Sequence, residues 1–171
     1  MFKPMIAALL AAGPVSAAAS LAPEPPPVFE IKAPNGRVVA RVMVFEAEGF
    51  VQVRVQAAGL AQGRYGVHVH DKGLCEAPSF ESAGLHWNPL GRQHGHENAN
   101  GPHLGDLPNL TVDAQGGRLE FGIEGGHLFG GENPLFDADG AAIVIHAEPD
   151  DYRTDPSGNS GARIGCGALV R

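Results

Sequence analysis

Residues able to bind metal are concentrated between His68 and Asp106. Six of the eight histidines of the chain fall in this stretch. Residues two apart in a β-strand point to the same face, so His68 and His70 would present two imidazoles on one side of a sheet. Imidazole nitrogens suit both zinc and copper, and the pair therefore indicates a metal site built on a rigid strand.

The remainder of this stretch, residues 86–106, has the spacing of neither a helix nor a strand. Its Gly, Pro and Asn residues predict a long loop, and a bound metal would give such a loop a reason to be ordered. The chain offers seven candidate donors: His68, His70, His86, His94, His103, His146 and Asp106. Seven are too many for one four-coordinate ion and too few for two, unless one imidazolate bridges both ions. Nitrogen-rich sites suit copper as well as zinc, and three nitrogens with one carboxylate suit zinc.

Short strands separated by turn residues predict the frame that would hold these donors. Val51, Val53 and Val55 alternate with polar residues, which is typical of a strand buried on one face. Strands are predicted over 28–32, 38–45, 51–55, 65–70, 110–112, 119–123, 141–146 and 165–170. No segment longer than about ten residues has the apolar period of a helix. The pattern predicts an all-β antiparallel sandwich or barrel in which two long connections, 71–109 and 147–164, carry the site.

The N-terminal residues have the pattern of a secretory signal peptide. A lysine is followed by a short apolar run and then by small residues that permit cleavage after Ala19. The apolar run is too short to cross a membrane as a helix. We therefore expect residues 1–19 to be removed, 20–27 to form an exposed proline-rich spacer, and 28–171 to form one domain without a membrane span. A disordered alanine-rich tail is the alternative interpretation of the first segment.

The cysteine content agrees with export. The chain has two cysteines, Cys75 and Cys166. In an oxidising compartment such a pair is most simply one disulfide, and two unrelated buried thiols are the alternative. Closing a loop of about ninety residues would stabilise the fold by about 4 to 5 kcal/mol in the chain-entropy model, as an upper figure.

The chain is acidic. Its formal net charge is −7, and removal of residues 1–19 takes one lysine and no acid, which leaves 11 basic against 19 acidic residues, or −8. This charge argues against nucleic acid and anionic membrane surfaces as partners. An anionic substrate would need local positive charge to attract it.

Six motifs, present in order along the chain, resemble the copper/zinc superoxide dismutase family. They are Gly66-Val67-His68-Val69-His70, His86-Trp87-Asn88-Pro89-Leu90, His94-Gly95, His103-Leu104-Gly105-Asp106-Leu107, Val144-Ile145-His146 and the stretch from Gly158 to Gly167. The resemblance extends from about Phe29 to the end of the chain. Val67 and Trp87 stand where the family more often has Phe, which affects packing around the ligands.

The resemblance implies an eight-stranded Greek-key β-barrel that dismutates superoxide to oxygen and hydrogen peroxide, with one copper and one zinc per subunit. Copper would be held by His68, His70, His86 and His146, and zinc by His86, His94, His103 and Asp106. His86 would be the bridging imidazolate. Asp150 would link ligands of the two metals, Cys75 and Cys166 would form the disulfide, and Arg163 would hold the anion beside the copper.

In the family's cycle, one superoxide reduces the copper and leaves as oxygen while the bridge to His86 breaks and that nitrogen takes a proton. A second superoxide reoxidises the copper and leaves as hydrogen peroxide. His86 and Arg163 are therefore the implied catalytic residues. Copper can exchange one electron and zinc cannot, so zinc would hold and tune His86.

The second long loop departs from the family pattern in its charges. It contains Asp150, Asp151, Arg153 and Asp155 but no lysine. Attraction of the anion would then depend on Arg163 and Arg153, or on a base elsewhere such as Arg92, and we expect a rate below the best of the family.

Two further histidines, His96 and His127, match no ligand position. We expect both to be solvated loop residues, and a spare metal or haem ligand is the alternative.

Three classes of function are compatible with a metal-binding β fold. The first is an exported, periplasmic dismutase, for which a homodimer is compatible with the resemblance. The second is an exported copper or zinc carrier or metallochaperone of the same fold, which would lack part of the copper set or Arg163. The third is a purely structural module, which has no need of seven donors.

Overall fold

The computed structural model describes residues 25–170, so the predicted signal peptide and most of the predicted spacer lie outside the described residues. The elements are β1 (Val28–Lys32), β2 (Val38–Ala47), β3 (Phe50–Ala57), β4 (Gly63–Tyr65), β5 (Val67–His70), a 3-10 turn (Glu81–Ala83), β6 (Leu110–Asp113), β7 (Gly116–Ile123), β8 (Ala141–His146) and β9 (Arg163–Leu169). The all-β prediction is confirmed for this part of the chain. None of its helices is long and apolar enough to cross a membrane.

The nine strands form one antiparallel sheet that closes almost completely into a barrel. Its strand order is β4-β6-β7-β3-β2-β1-β9-β8-β5. The two edge strands, β4 and β5, are consecutive in the chain and are separated only by Gly66. One interrupted strand therefore joins both edges of the sheet, and counting it once gives the eight strands that the resemblance implied.

The interruption at Gly66 is the one place where a predicted strand, 65–70, is divided. Gly66 N–H donates to the carbonyl of Glu148 at 2.8 Å and its own carbonyl accepts from the N–H of His146 at 2.8 Å. A Cβ added at Gly66 would lie 2.9 Å from the Cβ of Ser160. The second long loop thus packs directly on this residue, and the lack of a side chain permits the approach.

The strand alternation divides buried residues between two faces. Val51, Val53 and Val55 point inward, as predicted, and join the main apolar core. Strand β5 and its neighbour β8 are buried along their whole length. Their inward residues join the main core, whereas the outward Val144 belongs to a smaller apolar cluster with Phe80. His68 and His70 point to this outer face, where the two long loops cover them.

The described part of the predicted spacer lies against the barrel. Pro26 is half-buried, and residues 25–27 line an apolar cavity of about 690 Å³ together with Phe29 and Phe136. Pro25 and Pro27 are exposed, so Pro26 alone among these three residues is partly covered by the barrel.

Candidate metal centre

The first long loop folds back onto β5 and brings its donors beside those of the strand. Val69 N–H donates to the carbonyl of Gly105 at 2.8 Å, and the Val69 carbonyl accepts from Trp87 N–H at 2.8 Å. Isolated β-bridges consequently pair His68 with Asp106 and His70 with His86. The first long loop therefore hydrogen-bonds to the edge of β5, and these bonds fix where the side chains of the loop lie.

Four histidines form the first donor cluster: His68, His70, His86 and His146. Their ligand atoms all lie within 4.8 Å of one another, and all four residues are buried. The Nδ1 atom of His68 and the Nε2 atoms of the other three have no hydrogen-bond partner among residues 25–170. Buried polar atoms are almost always paired, so four orphaned nitrogens facing one point fit a metal ion.

The opposite ring nitrogens of this cluster are held by carbonyl and carboxylate oxygens. His70 Nδ1 lies 3.1 Å from the carbonyl oxygen of Gly84, and His146 Nδ1 lies 3.2 Å from that of Gly161. Because a carbonyl only accepts, Nδ1 carries the proton in both rings and Nε2 keeps a lone pair for a metal. His68 is oriented by Asp150, whose Oδ2 lies 2.8 Å from its Nε2.

A second cluster surrounds Oδ1 of Asp106. The Nδ1 atoms of His86, His94 and His103 lie 3.0, 3.0 and 3.2 Å from this oxygen, and the His86 and His103 Nδ1 atoms are 3.4 Å apart. A tetrahedral zinc with ligand distances near 2.0 Å requires about 3.3 Å between ligand atoms. These residues therefore fit a zinc ion, with His86 common to both clusters.

The second cluster has one competing member. His68 also offers an atom within 4.8 Å of the donors of His86, His94 and Asp106. However, His68 directs its Nε2 to Asp150, whereas His103 directs its Nδ1 to Asp106. We therefore group His103 with the second cluster.

Asp150 connects the two clusters. Its Oδ2 accepts from His68 Nε2 at 2.8 Å and its Oδ1 lies 3.0 Å from His94 Nε2. The backbone of Asp150 is clamped by the Asn109 side chain, whose Oδ1 accepts from Asp150 N–H at 2.8 Å and whose Nδ2 donates to its carbonyl at 2.9 Å. Asn109 N–H in turn donates to the Tyr152 hydroxyl at 2.8 Å.

Burial sets the protonation of the first cluster. Burial lowers the pKa of His68 to about 3 and that of His146 to about 4. Burial also lowers the pKa of His70 and of His86 below the ordinary value. All four rings are therefore neutral at pH 7 and able to act as ligands.

In the second cluster, Asp106 stays ionised and His94 stays protonated at neutral pH. Burial alone would raise the pKa of Asp106, but hydrogen bonds from His103, His86 and His94 outweigh it and hold the pKa well below the usual range. Burial lowers the pKa of His94, but Asp106 and Asp150 outweigh that and raise it to about 9. At neutral pH His94 keeps its proton between two carboxylates unless a metal cation takes its place.

Arg163 lies beside the first cluster, at the start of β9. Its Nη1 donates to the carbonyl of Phe80 and its Nη2 to that of Gly84, both at 2.7 Å. A disulfide between Cys75 and Cys166 ties the loop that carries these carbonyls to β9, as predicted. A cavity of about 440 Å³ opens above the cluster, and Arg163 lines it. Burial lowers the pKa of Arg163, yet a guanidinium stays charged at any working pH.

His96 and His127 belong to neither donor cluster, although His96 contacts the backbone of Asp106. His96 is exposed and its Nε2 donates to the carbonyl of Asp106 at 2.8 Å. His127 Nδ1 lies 3.2 Å from a carboxylate oxygen of Glu46. Each of the two rings therefore has an oxygen partner in the described part of the chain.

Sequence reasoning named Asp150 but missed three other groups that orient the ligands or hold Asp150: the side chain of Asn109 and the carbonyls of Gly84 and Gly161. Asn109 follows the His103 motif closely, but an asparagine in a loop carries no signal for its partner. A sequence does not indicate that the carbonyls of Gly84 and Gly161 orient ligands, because every residue has a carbonyl. Only the spatial approach of distant segments identifies them.

Comparison with known proteins gives consistent matches. A family model described as copper/zinc superoxide dismutase matches residues 38–169. The chain is 41% identical over 138 residues to Superoxide dismutase [Cu-Zn] 2 of Aquifex aeolicus, with 79% of this chain and 81% of that protein covered. It is 38% identical over 146 residues to Superoxide dismutase [Cu-Zn] of Caulobacter vibrioides, with 81% and 82% covered. The crystal structure of a SOD-like protein from Bacillus subtilis superposes with a TM-score of 0.77 at 39% identity, with 83% and 97% covered.

Proposed function

The chain belongs to the copper/zinc superoxide dismutase family, and we propose on that basis that it converts superoxide to oxygen and hydrogen peroxide at the paired clusters. It is then an oxidoreductase. The observation that carries the proposal is the group of four buried imidazole nitrogens without partners among residues 25–170, which adjoins a second donor group through His86.

We assign copper to the nitrogen-only cluster and zinc to the cluster that contains a carboxylate, one of each per subunit. The copper ligands are His68, His70, His86 and His146, and the zinc ligands are His86, His94, His103 and Asp106. Bound copper supplies the one-electron exchange that dismutation needs, and bound zinc supplies fixed positive charge. A ligand set that contains a carboxylate prefers zinc, which supports the assignment of zinc to the cluster that contains Asp106.

His86 has the proton-handling role in this proposal. Its Nδ1 faces Asp106 at 3.0 Å, and its Nε2 faces the first cluster without a hydrogen-bond partner among residues 25–170. Burial lowers the pKa of the metal-free ring, so Nε2 is unprotonated at neutral pH and would be able to take up a proton for the reduced product. Asp106 and the second cluster keep the ring in place while the proton moves.

Arg163 holds the substrate anion in this proposal. Its guanidinium has five N–H donors, and the bonds to Phe80 and Gly84 use one donor from each of two nitrogens. Those two bonds fix the orientation of the group, and the remaining donors are available to an anion in the cavity.

We also propose that the mature protein is exported to the periplasm. The signal-peptide pattern of residues 1–19 supports this, and so does the disulfide, which persists in oxidising compartments. Fractionation of cells followed by intact mass measurement of the protein tests it. A protein recovered in the cytoplasm with residues 1–19 attached would contradict it.

The reaction is tested by stopped-flow decay of superoxide with the mature, disulfide-intact protein. Protein loaded with copper and zinc is compared with the same protein loaded with zinc alone. We expect fast decay that requires copper and slows as salt is added. Decay no faster than the zinc-only control would instead favour the alternative function, an exported metal carrier of the same fold.

A further inference from the structure

Most of the histidines assigned to the metals have an oxygen beside the ring nitrogen that is turned away from the metal position. Such an outer oxygen fixes the tautomer and the orientation of a ligand imidazole. The rings with an oxygen at 2.8 to 3.2 Å are His68, His70, His94 and His146. His86 turns both nitrogens toward the clusters. The outer partner of His103 is therefore the one still to be identified.

Asp155 lies where that partner is needed. His103 Nδ1 faces the second cluster, 3.2 Å from Oδ1 of Asp106, so its Nε2 points outward. There it faces Oδ1 of Asp155 at 3.9 Å. This distance is about 1 Å too long for a direct hydrogen bond. The carboxylate therefore acts on the ring through its charge.

The same carboxylate oxygen also holds a second ligand of the cluster. Asp155 Oδ1 accepts from the backbone N–H of His94 at 2.7 Å, which fixes its position. Asp155 belongs to the second long loop, whereas His94 and His103 belong to the first. One oxygen thus connects the two loops at the second cluster, through the backbone of one ligand and the ring of another.

The second cluster meets solvent on the side of Asp155. Among the donors that belong to this cluster alone, His94 and Asp106 have fully buried side chains, whereas that of His103 is 6% exposed. His103 and Asp155 both line the cavity above the first cluster. The ring of His103 is therefore the least enclosed of the three donors, and Asp155 is the charged group on its open side.

We propose that Asp155 is a positioning residue for the zinc site, which orients the ring of His103, holds the backbone of His94 and thereby strengthens zinc binding. The inference rests on the proposed function, because it takes the second cluster as the zinc site. The two contacts differ in what they require. The bond from His94 needs only an acceptor oxygen, whereas the attraction to His103 needs a negative charge.

This difference predicts graded effects on zinc affinity. Loss of an outer partner typically weakens metal binding about tenfold to a hundredfold, and Asp155→Ala, which loses both contacts, should lie near the lower figure. Asp155 is 50% exposed, so solvent screens its charge. Asp155→Asn keeps an acceptor for His94 but loses the charge, and it should weaken binding about threefold. That smaller effect should shrink as salt is added.

The experiment uses the mature, disulfide-intact protein loaded with zinc and free of copper. Chelator competition at low and high salt gives the zinc dissociation constant. Proton NMR gives the rate at which the Nε2–H of His103 exchanges with water, a signal that a general weakening of the loop would not change selectively. Asp151→Asn and Asp151→Ala are the matched controls. Asp151 lies in the same loop and carries the same charge, but its described partners are Arg153, Thr154 and Asn159.

We expect weaker zinc binding and faster Nε2–H exchange in both Asp155 variants, and parent values in both Asp151 variants. If Asp155→Asn matches Asp151→Asn in both measurements at low salt, the inference is overturned. Equal loss of zinc affinity in the Asp155 and Asp151 variants would also overturn it, because the loop as a whole would then be responsible. Asp155→Asn keeps the acceptor for His94, so the test does not depend on the folding of Asp155→Ala.

Failure of the proposed function has a different signature. A parent protein that binds zinc but does not accelerate superoxide decay when copper is added would refute the proposed reaction, while the zinc affinities of the variants would still support the role of Asp155. A parent protein that binds no zinc in the chelator competition would overturn both the zinc assignment and the inference that rests on it.

Discussion

Substitution of Asn109 by alanine tests how the two metal sites are held together. The change removes two hydrogen bonds, of 2.8 and 2.9 Å, between the Asn109 side chain and the backbone of Asp150. Asp150 is 4% exposed, so water cannot easily replace the lost partners. At about 1 kcal/mol for each bond, the zinc-loaded protein should lose about 2 kcal/mol of unfolding free energy.

The lost free energy can come from the stability of the metal-free protein or from zinc affinity, and the division shows whether the two Asn109–Asp150 hydrogen bonds matter before or after zinc binds. If Asp150 is held equally well without metal, the metal-free protein loses about 2 kcal/mol and zinc affinity is unchanged. If the clamp matters chiefly when His94 is a ligand, zinc affinity falls by up to about thirtyfold, which corresponds to the same free energy. We expect the second result, because Asp150 meets His94 directly at 3.0 Å.

Two measurements separate these cases. Chelator competition gives the zinc dissociation constant, and urea unfolding of the metal-free protein gives its stability. Asn100→Ala is the control, since Asn100 is an exposed asparagine of the same loop whose side chain donates, within residues 25–170, only to Gln93, at 3.3 Å. Should Asn109→Ala match Asn100→Ala in both measurements, Asn109 does not position Asp150 and the reasoning is refuted.

Three other predictions concern the clusters and the anion site. Arg163→Ala should lower turnover by about tenfold to a hundredfold, the value of a hydrogen bond to a charged group, at unchanged metal content; loss of metal with turnover would contradict the role of Arg163. His86→Ala should change the copper spectrum and make it insensitive to zinc removal, with His127→Ala as control; an unchanged spectrum would exclude the bridge. The metal-free protein should be most stable near pH 6.5, as urea unfolding from about pH 4 to about pH 10 can measure. Below that pH the unfolded chain binds protons at His68 and His146, which stay neutral in the folded protein because their pKa values are lowered to about 3 and 4, so stability falls. Above that pH the stability contributed by protonated His94, whose pKa is raised to about 9, is lost. A profile that only rises or only falls would contradict these directions.

Local patterns in the sequence predicted much of the frame. Strand β1 and strand β8 have the predicted bounds, because turn residues delimit apolar runs of the length of a strand. Strands β2, β3 and β7 each extend a little beyond their predicted bounds. Their added residues are paired by the neighbouring strands, and such pairing leaves no signal within the strand itself.

Features that depend on contacts between distant segments were outside the reach of these patterns. The division at Gly66 follows from packing of the second loop, through Glu148 and Ser160, onto the strand. The sequence left the choice between Arg92 and Arg153 open for the same reason. Only the meeting of the two long loops pairs Arg153 with Glu97 and leaves Arg92 at the cavity.

The carbonyl of Gly84 shows why the arginine, the disulfide and one proposed copper ligand behave as a unit. It accepts from Arg163 Nη2 at 2.7 Å and from His70 Nδ1 at 3.1 Å. One oxygen therefore sets both the orientation of the guanidinium and the tautomer of the ring. Gly84 lies in the loop that the bond from Cys75 to Cys166 attaches to β9, the strand that begins at Arg163. Because that strand carries both the arginine and one end of the crosslink, the disulfide and the two hydrogen bonds to Gly84 hold Arg163 and His70 at a fixed distance from each other. The loop that supplies the carbonyl has only a three-residue 3-10 turn of regular structure to hold it.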